Sequence, residues 1–172
     1  MSTDLLTTMG SPVEAMVNSQ QYLSFIMAGE EYATNILKVL EIREWSSSTL
    51  IPNSPDYLEG VLNLRGDIIP IINLRKRFKL PASEQTSSGI VIVLDIQSMG
   101  KDHAIGLLVD AVAATYDVDL NKIKPAPPNS CVIDDNFING LVNLDNNMLI
   151  LLDVDQLLNF ELLGLSQAEN NT

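Results

Sequence analysis

The sequence predicts a mostly β protein in which two small β-barrels pack against one another. Three observations carry that expectation: a long block recurs, short apolar runs follow one another at strand-like spacing, and few stretches suit a long helix. The block Tyr57 to Phe78, YLEGVLNLRGDIIPIINLRKRF, returns at an offset of 80 as Phe137 to Leu158, FINGLVNLDNNMLILLDVDQLL. Gly60 and Gly140, Asn63 and Asn143, and Leu64 and Leu144 coincide, and Ile68-Ile69-Pro70-Ile71-Ile72 faces Met148-Leu149-Ile150-Leu151-Leu152. Duplicated blocks of this size imply two similar subdomains. Short strands at intervals of about 8 to 12 residues suit barrels, whose closure removes edges open to aggregation.

Residues 1–20 lack sustained periodicity and are expected to form a loose tail, with residues 21–163 as one domain of two subdomains and residues 164–172 as a second tail. Tyr22 to Met27 and the segment from Tyr32 flank Ala28-Gly29-Glu30-Glu31, a connection of hairpin length. Ile36 to Ile42 suits either strand or helix, and its context favours strand. Ser54-Pro55-Asp56-Tyr57-Leu58-Glu59-Gly60 has the grammar of one helical turn, with a capping serine, an early proline and a closing glycine. Strands are expected at Val61 to Leu64 and Ile68 to Ile72, followed by a short helix, Leu74 to Phe78, capped by Asn73. Asp153 caps the matching helix, Val154 to Asn159. Gly89 to Leu94 reads as a buried strand and His103 to Tyr116 as two strands passing through Asp110. Asn35 to Ile42 also resembles Leu107 to Ala114 at an offset of 72, so about eight extra residues precede the second long repeat, and Asp119 to Asp135 is their expected place.

With 172 residues, 46% of them hydrophobic but only 5% aromatic, the chain can bury one sizeable core filled mainly by branched aliphatics. A net charge of −12 opposes binding to nucleic acid phosphates and anionic lipid. Arg65, Arg75, Lys76, Arg77 and Lys79 are five of only ten basic residues, and the run from Arg75 to Lys79 is either a docking surface or a solvated helix face. The single cysteine, Cys131, rules out an intramolecular disulfide and a multi-cysteine zinc site, and fits a reducing compartment. The start lacks a signal-peptide pattern and no apolar run approaches about 18 residues, so a cytoplasmic protein without membrane insertion is expected.

Four segments, in order and at consistent spacing, carry a family resemblance. They are Gly29 to Tyr32 running into Ile36 to Val39 and Glu41-Ile42-Arg43; Ile51-Pro52-Asn53; Gly60 to Gly66 with Ile69-Pro70-Ile71; and Gly106 to Asp110 followed by Met148 to Asp153. From Gln21 to about Leu163 the chain resembles the CheW family of chemotaxis coupling proteins. The resemblance implies two five-stranded SH3-like barrels, no catalysis, and neither cofactor nor metal. It implies a scaffold joining the cytoplasmic tips of methyl-accepting chemoreceptors to the regulatory domain of the chemotaxis histidine kinase, at membrane receptor arrays. By motif position Val39, Glu41 and Arg65 resemble receptor-contacting residues, and Ile42, Arg43 and Leu50 the kinase-contacting ones. Asn73 departs from the aspartate of many members, but caps a helix about as well.

Each residue also has a plainer reading. Arg65 suits an interface through its planar donor fork, or an internal pair with Asp67 or Glu41. Val39 suits core packing equally well, and Glu41 a solvated strand. Trp45 anchors a partner or caps a barrel. Gly60 and Gly66 lack the Lys-Ser or Lys-Thr ending of a phosphate loop and read as turn glycines. His103 has no evident nucleophile partner and reads as an ordinary core or surface histidine. The alternatives to a chemotaxis adaptor are an adaptor of a related motility or other chemosensory pathway, and a ligand-binding or hydrolytic barrel, which needs a pocket of converging polar groups. A groove between the barrels lined by aliphatic side chains is expected to suit an amphipathic helix.

Overall fold

Ten strands form two five-stranded sheets in a computed structural model that describes residues 18–45, 55–81, 89–98, 100–131 and 133–158. The first sheet is built from β1 (Ser19–Met27), β2 (Glu30–Asn35), β8 (Ala111–Asp119), β9 (Ile138–Asn143) and β10 (Met148–Leu152), in the order β8-β1-β2-β10-β9. The second holds β3 (Val39–Glu44), β4 (Leu58–Leu64), β5 (Asp67–Asn73), β6 (Ile90–Ser98) and β7 (Lys101–Val109), in the order β3-β6-β7-β5-β4. Helix α1 (Leu74–Arg77) follows β5, and α2 (Val154–Leu157) follows β10.

The two orders superimpose strand for strand once β3 is matched to β8, β4 to β9, β5 to β10, β6 to β1 and β7 to β2. The duplication read from the sequence is therefore present, but permuted. The second barrel is continuous in the chain, whereas the first is begun by β8 to β10 and completed by the N-terminal hairpin. Both parallel pairings, β10 with β2 and β5 with β7, fall at the same place in the pattern. The β1–β2 hairpin forms where expected, its two linking residues, Ala28 and Gly29, at φ 53° and 81° as a tight turn of matching twist requires.

Side chains alternate between two destinations. Along β6, Val91 and Val93 point into the second barrel's own interior with Ile69 and Ile71, whereas Ile92, Leu94 and Ile96 join the core between the barrels. Along β10, Leu149 and Leu151 line the first barrel with Ala33, Val118 and Val142, while Ile150 and Leu152 face the shared core. Burial on both faces explains why β6 reads as an unbroken apolar run. Four aromatics meet in the shared core: Phe25, Tyr32, Phe78 and Phe137 follow one another at ring-centroid separations of 6.2, 5.5 and 6.3 Å.

The repeat extends to individual bonds. Asn73 N donates to Tyr57 O at 2.7 Å in one copy and Asp153 N to Phe137 O at 2.9 Å in the other. Each copy carries an irregularity at the matching position, Glu59 or Asn139. Asn73 Oδ1 accepts from Lys76 N at 3.3 Å and Asp153 Oδ1 from Gln156 N at 3.1 Å, so both expected helix caps form. Asn73 also donates to Glu59 at 2.7 Å, a bond that an aspartate there would not make. Gly140 is required by crowding: a Cβ there would lie 2.5 Å from Ile123 Cγ2, where Lys124 crosses to pair with Leu141.

Three local expectations change. Ile36–Lys38 is a 3₁₀ turn and not the start of a strand, because the Asn35 side chain accepts from Leu37 N at 2.9 Å and caps it. Around Tyr57 the chain makes one turn, closed by Leu58 N to Pro55 O at 3.1 Å, and then enters β4; pairing of Leu58 with Ile72 prevents a helical turn. Ser54 lies outside the described residues. Finally, β3, β4, β8 and β9 each have a single ladder neighbour among the described strands, so the curled sheets keep their edges.

Burial pushes the Tyr32 phenol up to about 12, with Glu30 and Cys131 adding to the rise, against 10.0 for an ordinary tyrosine. Because the folded state holds this proton more tightly, the associated stability is complete below pH 10.0 and is lost as pH rises towards about 12. Denaturant unfolding of Tyr32→Phe at successive alkaline pH values will show a shallower loss of stability above pH 10.0 than the unsubstituted chain. Parallel curves would contradict this assignment.

Candidate docking surface

Strand β3 is the only one of the ten without a fully buried residue. Val39 is half-buried at its start and packs against the shared core, and Glu41 is partly covered, while Leu40, Ile42, Arg43 and Glu44 are exposed. Leu37, in the preceding turn, is 78% exposed, with Leu40 at 56% and Ile42 at 45%. Three large aliphatics on one edge segment leave apolar surface uncovered, whereas most other aliphatics among the described residues are buried or partly buried. The aliphatic side chains expected to line a groove between the barrels are instead packed in the shared core, because each sheet directs one side-chain set at the other. A shallow depression at the far end of β3 is lined by Glu44, Trp45, Gly89, Ile90 and Asp110. Trp45 is half-buried against the second barrel's interior and its backbone N–H donates to Gly89 O at 2.9 Å.

Glu41 and Arg43 meet at 3.8 Å. Arg65 sits apart from them in the sheet order, on the β4–β5 turn, and no ion pair among the described residues joins it to Asp67 or Glu41. Pairing of Leu64 with Asp67 leaves Arg65 and Gly66 as a two-residue loop at φ 54° and 90°, closed by Gly66 N to Asn63 Oδ1 at 3.0 Å. Such a turn favours Asn-Gly, so an exposed arginine at its first position is sterically disfavoured. Next to it Ile68 is 68% exposed. The corresponding turn of the second copy is tied down: Leu144 N donates to Asn147 O at 2.7 Å, and Asn147 donates to the buried Glu31 carboxylate. Glu31 also accepts from Ser24 at 2.7 Å and Tyr116 at 3.1 Å, and burial followed by Glu31 raises the Tyr116 phenol. Leu50 lies outside the described residues.

Three of the four basic residues from Arg75 to Lys79 serve the fold. Arg75 binds Asp110 at 2.7 Å, Lys76 binds Glu59 at 3.0 Å, and the Arg77 guanidinium lies over Tyr57 and Phe137, 5.3 and 4.7 Å from the ring centroids. Those two aromatics occupy the same position of the repeat, so one cation joins both copies. The sequence holds the clue in Tyr57 and Phe137 recurring at an offset of 80 while Arg77 is matched by Leu157. His103 lies half-buried on β7, opposite Ile96.

The CheW-like domain model matches residues 21–161. This chain belongs to the CheW family. It is 38% identical to a chemotaxis protein CheW of Klebsiella aerogenes, over 85% of this chain and 86% of that one. A CheW of Bacillus subtilis is 31% identical, over 83% and 88%. The crystal structure of the scaffolding protein TtCheW from Thermoanaerobacter tengcongensis superimposes with a TM-score of 0.71 at 36% identity, covering 80% of this chain and 86% of that one. The mostly β pair of barrels is thus the CheW architecture, and the exposed β3 edge and the Arg65 turn are features of a CheW-family frame. No helix among the described residues is long and apolar enough to cross a membrane.

An exposed strand edge that serves contact and not folding will tolerate charge. Leu40→Asp will unfold within about 0.5 kcal/mol of the parent chain in urea. A loss of several times that amount would place Leu40 in the folding core.

Proposed function

We propose that this chain is a non-enzymatic chemotaxis scaffold that couples chemoreceptor cytoplasmic tips to the regulatory domain of the chemotaxis histidine kinase. The observation that carries the reading is the uncovered apolar segment of Leu40 and Ile42 on an edge strand, with Leu37 in the turn before it, in a CheW-family frame. On this reading Ile42 and Arg43, with Leu50, meet the kinase, and Val39, Glu41 and Arg65 meet the receptor.

Physical chemistry supports contact roles for β3 and for Arg65. Exposed aliphatics supply desolvation at an interface core, and Glu41 and Arg43 flank them as a charged rim that selects orientation more than it adds affinity. Arg65 is displayed at a disfavoured backbone conformation with no internal ion pair among the described residues, an arrangement that folding alone gives little reason to keep. A rigid body with two separate faces transmits a signal without chemistry when its contacts differ between the two states of the receptor or the kinase. The relatives point the same way, since they are chemotaxis proteins and TtCheW is a scaffolding protein. Action in the cytoplasm, at membrane receptor arrays, follows from this reading.

The test is titration of the full chain with a receptor-tip fragment and, separately, with a kinase regulatory domain. Arg65→Glu will weaken the receptor titration by about tenfold or more, roughly 1.4 kcal/mol, and leave the kinase titration within about twofold. An unchanged receptor affinity would remove Arg65 from that interface. Failure of the unsubstituted chain to bind either fragment would remove the adaptor reading.

A further inference from the structure

Among the described strands the chain passes between barrels twice, and at each passage a carboxylate holds a cation with the charges exchanged. Leaving β2 for β3, Lys38 binds Asp155 on α2 at 2.7 Å; leaving β7 for β8, Asp110 binds Arg75 on α1 at 2.7 Å. Lys38 and Asp110 correspond at the offset of 72, and Asp155 and Arg75 at the offset of 80. In both cases the carboxylate also accepts a backbone N–H near a hairpin end: Gln97 N donates to Asp155 Oδ1 and Ala28 N to Asp110 Oδ2, each at 3.0 Å. The helix of one barrel thus grips the segment by which the chain enters the other.

The two passages lead into different strands. Immediately after Lys38 comes β3, which has β6 as its single ladder neighbour, has no fully buried residue, and shifts register between Val39 and Glu41. A strand held so lightly along its length depends on its ends for position. At the far end Trp45 N donates to Gly89 O, and at the near end stands the Lys38–Asp155 pair. Asp155 also takes an N–H of β6 beyond the point where β3 begins its pairing, so one carboxylate ties β3's approach to β6's end.

We propose that Asp155, acting through Lys38 and the Gln97 N–H, is a positioning residue that fixes the β3 edge for docking of a partner domain. The proposal rests on the adaptor reading for the partner, but the ordering of β3 stands apart from it. The pair is partly exposed, 31% and 38% at the two side chains, so it adds little to global stability and its loss acts locally. Asp155 lies on the opposite barrel from β3, so the clamp also makes the edge sensitive to how the two barrels sit.

Amide hydrogen exchange of the full chain decides the matter, with binding of a kinase regulatory domain measured alongside. Lys38→Glu and Asp155→Lys will each speed exchange in β3 by about fivefold while β7 is unchanged, and will weaken kinase binding; the double exchange Lys38→Glu with Asp155→Lys will restore part of both, because the ion pair re-forms in reverse while a lysine at 155 does not accept from the Gln97 N–H. Unaltered β3 exchange in both single variants overturns the proposal. So does acceleration spread evenly over all strands, which marks a general structural role, and so does a double variant that recovers neither quantity. If the unsubstituted chain binds no kinase domain, the adaptor reading falls, and β3 exchange alone then upholds or overturns the clamp.

Discussion

Everything in this structure depends on apolar side chains that two sheets direct at one another. Strands β6 and β10 are buried on both faces, with one set of residues filling a small barrel and the alternate set filling the space between barrels. Each barrel interior by itself is a modest cluster: among the described residues, four buried hydrophobic side chains lie in the second and five in the first, against twenty in the shared core. Fully burying an aliphatic side chain contributes about 1.5–3 kcal/mol, so most of the apolar stabilisation lies where the barrels meet. Neither barrel is a unit that can be lifted from the other, and the permuted connection reinforces this, because the first barrel's two central strands come from the opposite end of the chain.

Duplication supplied the frame and divergence supplied the faces. Matching positions keep the bonds that build each copy, such as Asn73 N to Tyr57 O and Asp153 N to Phe137 O. Where the copies differ, the difference has a use. Arg77 replaces the repeat's leucine and spans the two equivalent aromatics, its Nε donating to the carbonyl of that same Leu157 at 3.4 Å. The turn of the first copy presents Arg65, whereas that of the second is anchored through Asn147 to a buried glutamate. Charged pairs at the two crossings are exchanged in sense, so Lys38 matched with Arg75, or Asp110 with Asp155, would repel.

Most of the fold was legible in the residues. The repeat, the hairpin at Ala28-Gly29, the strands around Asp110 and both helix caps follow from glycine placement, capping residues and branched aliphatic runs, which act locally. The permutation was not legible, because strand order is set by which faces bury one another and not by any local pattern. The segment from Ile36 departs from its sequence pattern for a related reason: its first three residues take a 3₁₀ turn under the Asn35 cap, and a three-residue turn leaves no period to detect. Of the candidate site, the exposure of Ile42 and the isolation of Arg65 required coordinates. The basic run looked like a surface available to partners because Asp110, Glu59 and the two aromatics that engage it are distant in sequence.

The claim that the barrels are inseparable is tested most directly by urea unfolding of the full chain, followed at two native probes. Trp45, the sole tryptophan, packs against the second barrel's interior, and Cys131, the sole cysteine, is partly buried against the shared core on the approach to β9 of the first barrel. Tryptophan fluorescence and thiol accessibility will trace superimposable curves with one midpoint. Two separated midpoints, with one probe released while the other keeps its native signal, would contradict a single shared core.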